Sequence, residues 1–171
     1  VMKLLDINLV IKIVPSVKSI VEKSANFSDM RNITIEDLIN RSTVNPIQAL
    51  LEKNIKDKTV LVTGGGGSIG SELVSQISAL NPRKVVIIDM NELNIFNLKN
   101  KIKNLEKVDI VLGSLLDKHF LKQIFTKYKF NIIFHAAAYK HVSIVEDNIL
   151  YAVMNNVIST FYIGDFSSKF N

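Results

Sequence analysis

The chain contains no cysteine, which excludes disulfides and thiolate chemistry and fits a reducing, cytoplasmic setting. It has no long apolar run. Its nearest approach to one, residues 4–14, is broken by Asp6, Asn8 and Lys12, whereas a helical bilayer span needs about 20 predominantly apolar residues. That segment also lacks the small-residue cleavage pattern of a secretory signal. The net charge of +5 comes mostly from lysine rather than arginine. Lys99, Lys101, Lys103 and Lys107 cluster, as do Lys118, Lys122, Lys127 and Lys129. Without interleaved aromatics these read as solvated helix faces, and no nucleic-acid partner is expected. His135 and His141 have no third histidine or carboxylate at ligand spacing, so no metal site is expected, and His119 reads as surface. No repeat or low-complexity segment occurs.

Against these absences, 171 residues with 47% apolar and 22% charged side chains are enough for one domain with a real core and an appendage. Of the seven glycines, Gly64, Gly65, Gly66, Gly67 and Gly70 fall in one stretch, directly after the buried-strand pattern Thr59-Val60-Leu61-Val62-Thr63. A helix with Ile69, Leu73, Val74, Ile77 and Leu80 on one face is predicted to follow. Two phosphate-loop spacings fit: Gly65, Gly67, Gly70 as G-x-G-x-x-G, or Thr63-Gly64, Gly67, Gly70 as T-G-x-x-G-x-x-G. In either, one glycine permits the turn, one lets backbone approach a pyrophosphate, and Gly70 lets the helix pack close to the strand. The N–H groups of Gly67, Ser68 and Ile69 then stand at a helix N-terminus, which suits a phosphate.

From residue 58 strands and helices alternate. Strands are predicted at 59–63, 84–89, 108–112 and 131–135, and helices at 68–80, 93–105 and 118–128. A long last helix carries Leu150, Val153, Met154, Val157, Ile158 and Phe161. This alternation implies an α/β fold, a Rossmann-like doubly wound parallel sheet. Residues 1–57 differ. They offer a strand within 9–14, a helix from Ser16 to about Val21, loop over 24–32, a helix over 34–40, and a helix started by Pro46 carrying Ile47, Leu50 and Leu51. These pieces read as a helical linker or arm, residues 1–57, joining an upstream domain to a dinucleotide-binding domain, residues 58–171.

Asp89 ends the second strand, about 20 residues past the glycine turn, where a dinucleotide fold places its ribose-binding carboxylate. A strand-end aspartate capping the next helix has the same look, and both roles are compatible. Its charge, with no arginine following, favours NAD over NADP. Past the fourth strand, Ala136, Ala137 and Ala138 leave room for a ligand against backbone, and Lys140 puts a cation near that opening. A small-residue packing site beside a solvated lysine reads equally well from these residues alone.

Three motifs then carry a family resemblance: Thr63-Gly64-Gly65-Gly66-Gly67-Ser68-Ile69-Gly70-Ser71-Glu72-Leu73; His135-Ala136-Ala137-Ala138-Tyr139-Lys140-His141-Val142; and Glu146-Asp147-Asn148. With Arg31-Asn32-Ile33-Thr34-Ile35-Glu36-Asp37-Leu38-Ile39-Asn40-Arg41 upstream, the chain resembles the CapD-like polysaccharide biosynthesis proteins. These are extended short-chain dehydrogenase/reductases that include UDP-N-acetylglucosamine 4,6-dehydratases. The resemblance implies that Gly64, Gly67, Ser68, Ile69 and Gly70 form the pyrophosphate loop and that Asp89 holds the ribose. It implies that Ala136 and Ala137 line the nicotinamide half, that Asn156 stands behind the active site at the cofactor, that Lys140 lies near both the cofactor and the UDP-sugar, and that His141 meets the UDP-sugar. Ser114, with Leu115 beside it, stands where the family often has an adenine-contacting aspartate.

Further departures are Ser159 for a glycine and Ser143 for a proline. No Tyr-x-x-x-Lys or Thr-Asp-Lys occurs between Val1 and Asn171, so no catalytic base is expected in this chain. The chain is accordingly expected to be an internal fragment, truncated after the fourth strand and its helix. Its parent is expected to act in the cytoplasm, with attachment to the inner membrane face through an upstream segment and assembly into a homo-oligomer both compatible with the resemblance. The leading expectation is a NAD-dependent nucleotide-sugar 4,6-dehydratase. A sugar-nucleotide 4-epimerase or dehydrogenase, and a non-catalytic dinucleotide-binding module, are the alternatives.

Overall fold

The computed structural model describes residues 12–14, 21–22, 30–33, 44–102 and 106–170. The chain divides into two compact units, residues 1–46 and 47–171. In the first, β1 (Lys12–Ile13) pairs antiparallel with β2 (Arg31–Asn32), Lys12 opposite Asn32. The strand expected within 9–14 is thus present at 12–13. The loop expected over 24–32 ends instead in a strand, because a two-residue ladder is set by its backbone partner and needs no side-chain alternation. Of the helix expected up to Val21, only Val21 is described, and it is helical; the helix expected over 34–40 lies outside the described residues.

The second unit opens with α1 (Gln48–Ile55). Pro46 is not its first residue. Ile47 is the N-cap, and its carbonyl accepts from the N–H groups of Leu50 and Leu51 at 3.0 and 3.2 Å. Ile47 and Leu50 are exposed, while Ile55 is buried among Val60, Val74, Ile77 and Val85. The helix that the sequence assigns to the arm therefore packs within the second unit.

Four strands form the parallel sheet: β3 (Thr59–Thr63), β4 (Lys84–Asp89), β5 (Val108–Leu112) and β6 (Ile132–His135). Their order is β5-β4-β3-β6. The chain walks outward from β3 to β5, then returns to the other side of β3 for β6, so the order reverses between β3 and β6. Open α/β sheets bind ligands at that reversal, beyond the carboxyl ends of the strands. Residue 131 lies just outside β6. Its backbone N–H donates to the Thr59 carbonyl and its side-chain oxygen accepts from the Thr59 N–H, both at 2.9 Å.

Alternation along the strands divides the core. Val60, Val62, Val85 and Ile87 point to one face, under α2 (Ser68–Ala79) and α3 (Glu92–Lys101). Leu61, Val86 and Ile88 point to the other, with Leu121, Ile124 and Phe125 of α4 (Lys118–Lys127). Three predicted C-terminal ends shift: α3 stops at Lys101, where Ile102 turns extended, α2 stops at Ala79, and the helix expected to reach residue 128 stops at Lys127. On α2, Val74 and Ile77 are buried as expected, but Ile69 is 68% exposed. The first turn of α2 overhangs the end of β3, and only later turns lie over the sheet.

Beyond β6 the expected single long helix is interrupted. The order is α5 (Val142–Asp147), α6 (Ile149–Val153), a π-helical turn (Met154–Ile158) and α7 (Ser159–Lys169). The apolar residues named on it are largely exposed, with Leu150 at 70% and Phe161 at 65%. Ala152, Ser159 and Ile163 are the buried residues. The π turn adds a residue to the helical repeat and so rotates the face that meets α4, where Phe166 packs on Phe125 at 5.7 Å. Among the described residues no helix is long and apolar enough to cross a membrane.

Candidate functional site

The turn between β3 and α2 is closely packed at four of its five glycines, Gly64, Gly65, Gly66 and Gly70. Gly64 has φ +65°, a left-handed conformation that favours glycine, and a Cβ there would lie 2.7 Å from the Ala137 backbone. The turn is therefore pressed against the chain leaving β6. A Cβ on Gly70 would lie 2.1 Å from the Gly64 carbonyl oxygen, which is how closely α2 approaches the turn. Gly67 differs. A Cβ there would meet only the Gly64 oxygen, at 3.3 Å, and Gly67 lines an open cleft. Gly65 and Gly66 pack against Ile87 and Asn94. The two spacings read from sequence share Gly67 and Gly70; Gly64 has the positive φ, and a Cβ on Gly65 would lie 2.4 Å from Ile87.

The N–H of Gly67 donates to the Gly64 carbonyl at 3.1 Å, and the first helical bond of α2 runs from the Ser71 N–H to the Gly67 carbonyl at 2.9 Å. This leaves the N–H groups of Ser68, Ile69 and Gly70 at the open helix end, one residue later than the sequence suggests. They carry the positive end of the α2 dipole.

Asp89, at the end of β4, is 8% exposed and borders the same cleft. One carboxylate oxygen accepts from the Gly66 N–H and the other from the Asn91 N–H, both at 2.9 Å. The side chain thus joins the glycine turn to the β4–α3 loop and keeps lone pairs for a ligand. Across the cleft run Ala136, Ala137, Ala138 and Tyr139. The Tyr139 hydroxyl reaches Met90 Sδ at 3.8 Å, bridging the two rims. The cleft encloses about 320 Å³.

Gly64, Gly67, Asp89, Leu115, Ala136 and Ala137, all predicted, meet around this cleft. Lys140 and His141 do not. They border a neighbouring hollow of about 420 Å³ with Ile144, Val145 and Tyr151. Ser114 is turned into its own loop, where its Oγ accepts from the Leu116 N–H at 3.2 Å. Asn156 is spent on backbone: its Oδ1 accepts from the Tyr139 N–H at 2.8 Å, and its Nδ2 donates to the Tyr139 carbonyl at 2.9 Å. Its neighbour Asn155 lines the cleft instead. Sequence reasoning also passed over Met90, Asn91, Asn94 and Tyr139. The signal was available for the first three, since the whole loop after β4 stands at the sheet's carboxyl end. A larger cavity, about 780 Å³, lies between α2 and α3 and is bordered by Ser75, Pro82, Leu98 and Lys101. It has neither a glycine turn nor a strand-end carboxylate. Among the described residues no cluster of three histidines or carboxylates is arranged to hold a metal ion.

Comparison with known proteins gives the following. The family described as "Polysaccharide biosynthesis protein" matches residues 60–171. The chain is 34% identical to the probable polysaccharide biosynthesis protein EpsC of Bacillus subtilis, covering 88% of this chain and 26% of that protein. It is 29% identical to the capsular polysaccharide biosynthesis protein CapD of Staphylococcus aureus, covering 85% of this chain and 25% of that one. It is 34% identical to the dTDP-D-glucose 4,6-dehydratase of Dictyostelium discoideum, over 61% of this chain and 24% of that one. Among solved structures, Pen from Bacillus thuringiensis superposes with TM-score 0.61 at 29% identity, covering 66% of this chain and 34% of that one. The epimerase Mth375 of Methanothermobacter thermautotrophicus gives 0.60 at 26% identity, covering 71% and 34%. The chain spans about a quarter of the length of the curated relatives it matches.

Proposed function

The chain belongs to the polysaccharide biosynthesis protein family, as a CapD-like member of the extended short-chain dehydrogenase/reductase type, and on that premise we propose that it forms the nicotinamide-dinucleotide-binding part of an enzyme that modifies nucleotide sugars. The observation that carries the proposal is the cleft at the sheet's reversal point. There Gly67, the N-cap of a helix whose first three N–H groups have no protein partner among the described residues, a strand-end carboxylate and an alanine-lined loop border one cleft. A dinucleotide fits this donor set. The pyrophosphate is held by the N–H groups of Ser68, Ile69 and Gly70, with Gly67 giving it access to backbone. The adenosine ribose is held by Asp89, with Asn91 and Asn94 nearby. Ala136, Ala137 and Asn155 border the nicotinamide side. When bound, the cofactor supplies hydride transfer.

NAD is favoured over NADP, because a ribose 2′-phosphate would meet the Asp89 carboxylate. Within the class we propose a 4,6-dehydratase acting on a UDP-sugar, UDP-N-acetylglucosamine foremost. The similarity to dTDP-D-glucose 4,6-dehydratase and the likeness to CapD support this. A 4-epimerase is the second reading, favoured by the likeness to the epimerase Mth375. Lys140 and His141, in the hollow beside the cleft, are the residues we assign to the sugar nucleotide. The test is calorimetric titration of the folded chain with NAD and with NADP at one pH and salt concentration. Saturable NAD binding, tighter than NADP, is expected. Absence of binding by either, in protein with an intact thermal transition, would sink the proposal.

A further inference from the structure

His135, the last residue of β6, is half-buried and makes two side-chain hydrogen bonds that the cofactor assignment does not use. Its Nδ1 lies 2.7 Å from Thr63 Oγ1 and its Nε2 lies 2.8 Å from Thr160 Oγ1. Thr63 is fully buried and directly precedes Gly64. Thr160 stands on α7, and its hydroxyl also bonds the Asn156 carbonyl at 2.7 Å. That carbonyl has no hydrogen to offer, so the Thr160 proton goes to it, and toward His135 the hydroxyl accepts. The ring must then donate from Nε2. A neutral imidazole with Nε2–H has a lone pair on Nδ1, which accepts the Thr63 hydroxyl proton. The network thus assigns one tautomer.

The bonds continue on both sides. The Thr63 carbonyl accepts from the Ala136 N–H at 3.0 Å, and Gly64 presses on the Ala136–Ala137 backbone. Asn156 grips both backbone groups of Tyr139. One line of hydrogen bonds therefore runs from the last residue before the glycine turn, through His135 and Thr160, to the π turn and back to the cleft's far rim.

We propose that His135 is a positioning residue of the cleft: as the neutral Nε2–H tautomer it holds the glycine turn and the loop after β6 in register, and its protonation releases them. This rests on the cofactor reading for its consequence, weaker dinucleotide binding in acid, but not for the coupling itself. An imidazolium carries a hydrogen on Nδ1. Thr63 must then accept there, which leaves its own buried hydroxyl hydrogen without its present acceptor. A charge is also placed where the surroundings do not solvate it. The elements packed on the ring, β3 and α7, face it with hydroxyls. The titratable groups nearest in sequence on these and the adjoining loop are Tyr139, Lys140, His141, Tyr162 and Asp165. None of them contributes to its titration: burial alone holds the ring below the ordinary histidine range. With that sign, the neutral ring's contribution is complete above the ordinary value and is lost as pH falls through the lowered one.

The experiment is nitrogen-15 NMR of the 171-residue chain from pH 7.5 to 5, reading the His135 ring nitrogens and the Gly64, Ala136 and Tyr139 amides, with NAD affinity measured over the same range. The account expects the Nε2–H tautomer at pH 7 and a midpoint below about 6.5. All three amides should shift with that midpoint, and in His135→Gln they should not. NAD affinity should fall toward about tenfold per pH unit below the midpoint, the slope for one linked proton. If His135→Gln fails to fold, Thr160→Val serves: the Gly64 amide should still follow the ring, and the Tyr139 amide should not. An Nδ1–H tautomer, amides that ignore the ring's titration, or an equal pH slope of NAD affinity in the wild type and His135→Gln would overturn the proposal. Folded protein that binds no NAD at any pH sinks the cofactor reading, and the amide shifts then decide the role of His135 on their own.

Discussion

Gly67→Ala separates a binding role from a folding role. Gly67 has φ −72° and ψ 173°, extended backbone open to any residue. The added methyl would meet one atom, the Gly64 oxygen at 3.3 Å, a contact relieved by a shift of a few tenths of an ångström. Alanine restricts the unfolded chain, worth about 0.4–1 kcal/mol of stability. Alanine is also a poorer N-cap than glycine, costing roughly 0.5–1 kcal/mol. The two nearly cancel, so the melting temperature should hold. Binding should not. The methyl would stand in the cleft, on the path by which the proposed assignment brings a pyrophosphate to the N–H groups of Ser68, Ile69 and Gly70. Loss of one hydrogen bond to a charged partner costs about 1.5–3 kcal/mol, so NAD affinity should fall roughly 10- to 100-fold. Gly70→Ala is the contrast: its Cβ would fall 2.1 Å from a backbone oxygen, and stability should drop with binding. The assay is calorimetric titration beside a thermal melt. An unchanged affinity in a folded Gly67→Ala variant would refute the reasoning.

Three further outcomes are expected. Asp89→Asn should narrow the NAD-over-NADP preference. It should also destabilise the fold by about 1–3 kcal/mol, since one of two backbone donors loses its acceptor; the ratio of the two affinities is the measurement, and equal affinities in the wild type would contradict the assignment. Asp109→Asn should lower the melting temperature at neutral pH, with the difference closing in acid, below the ordinary carboxylate value. Burial raises the Asp109 carboxyl, but hydrogen bonds from Lys84 at 2.7 Å and Tyr128 at 2.6 Å outweigh it and hold it below its ordinary value, so its contribution is present above that value and lost in acid. The purified chain should convert no UDP-N-acetylglucosamine in the presence of NAD, since it contains no Tyr-x-x-x-Lys to act as base; mass-spectrometric detection of a 4-keto-6-deoxy product would contradict this.

The sheet was legible because its strands are short apolar runs bounded by turn residues, and β3 through β5 have the predicted bounds. The glycine turn was legible too, since five glycines after a buried strand have few other uses. Residues in the second half of the site were less so. Asn155 and Asn156 are adjacent, and the resemblance picked Asn156; only the π turn decides that Asn156 grips Tyr139 while Asn155 lines the cleft. A π turn leaves no clear mark in apolar periodicity, which is also why one continuous helix was expected where the structure has an interrupted one. Lys140 sits four residues after Ala136, yet the loop carries it out of the cleft, and spacing in an irregular loop does not encode direction. The His135 network joins residues 63, 135, 156 and 160, separations that no local pattern reveals.

The central claim is that the crevice between β3 and β6 is the dinucleotide site. Amide chemical-shift mapping during NAD titration tests it most directly. The account predicts the largest movements at Ser68, Ile69, Gly70, Asn91, Asn94, Ala137 and Asn155. Movements confined to Ser75, Leu98 and Lys101, around the larger cavity between α2 and α3, would contradict it.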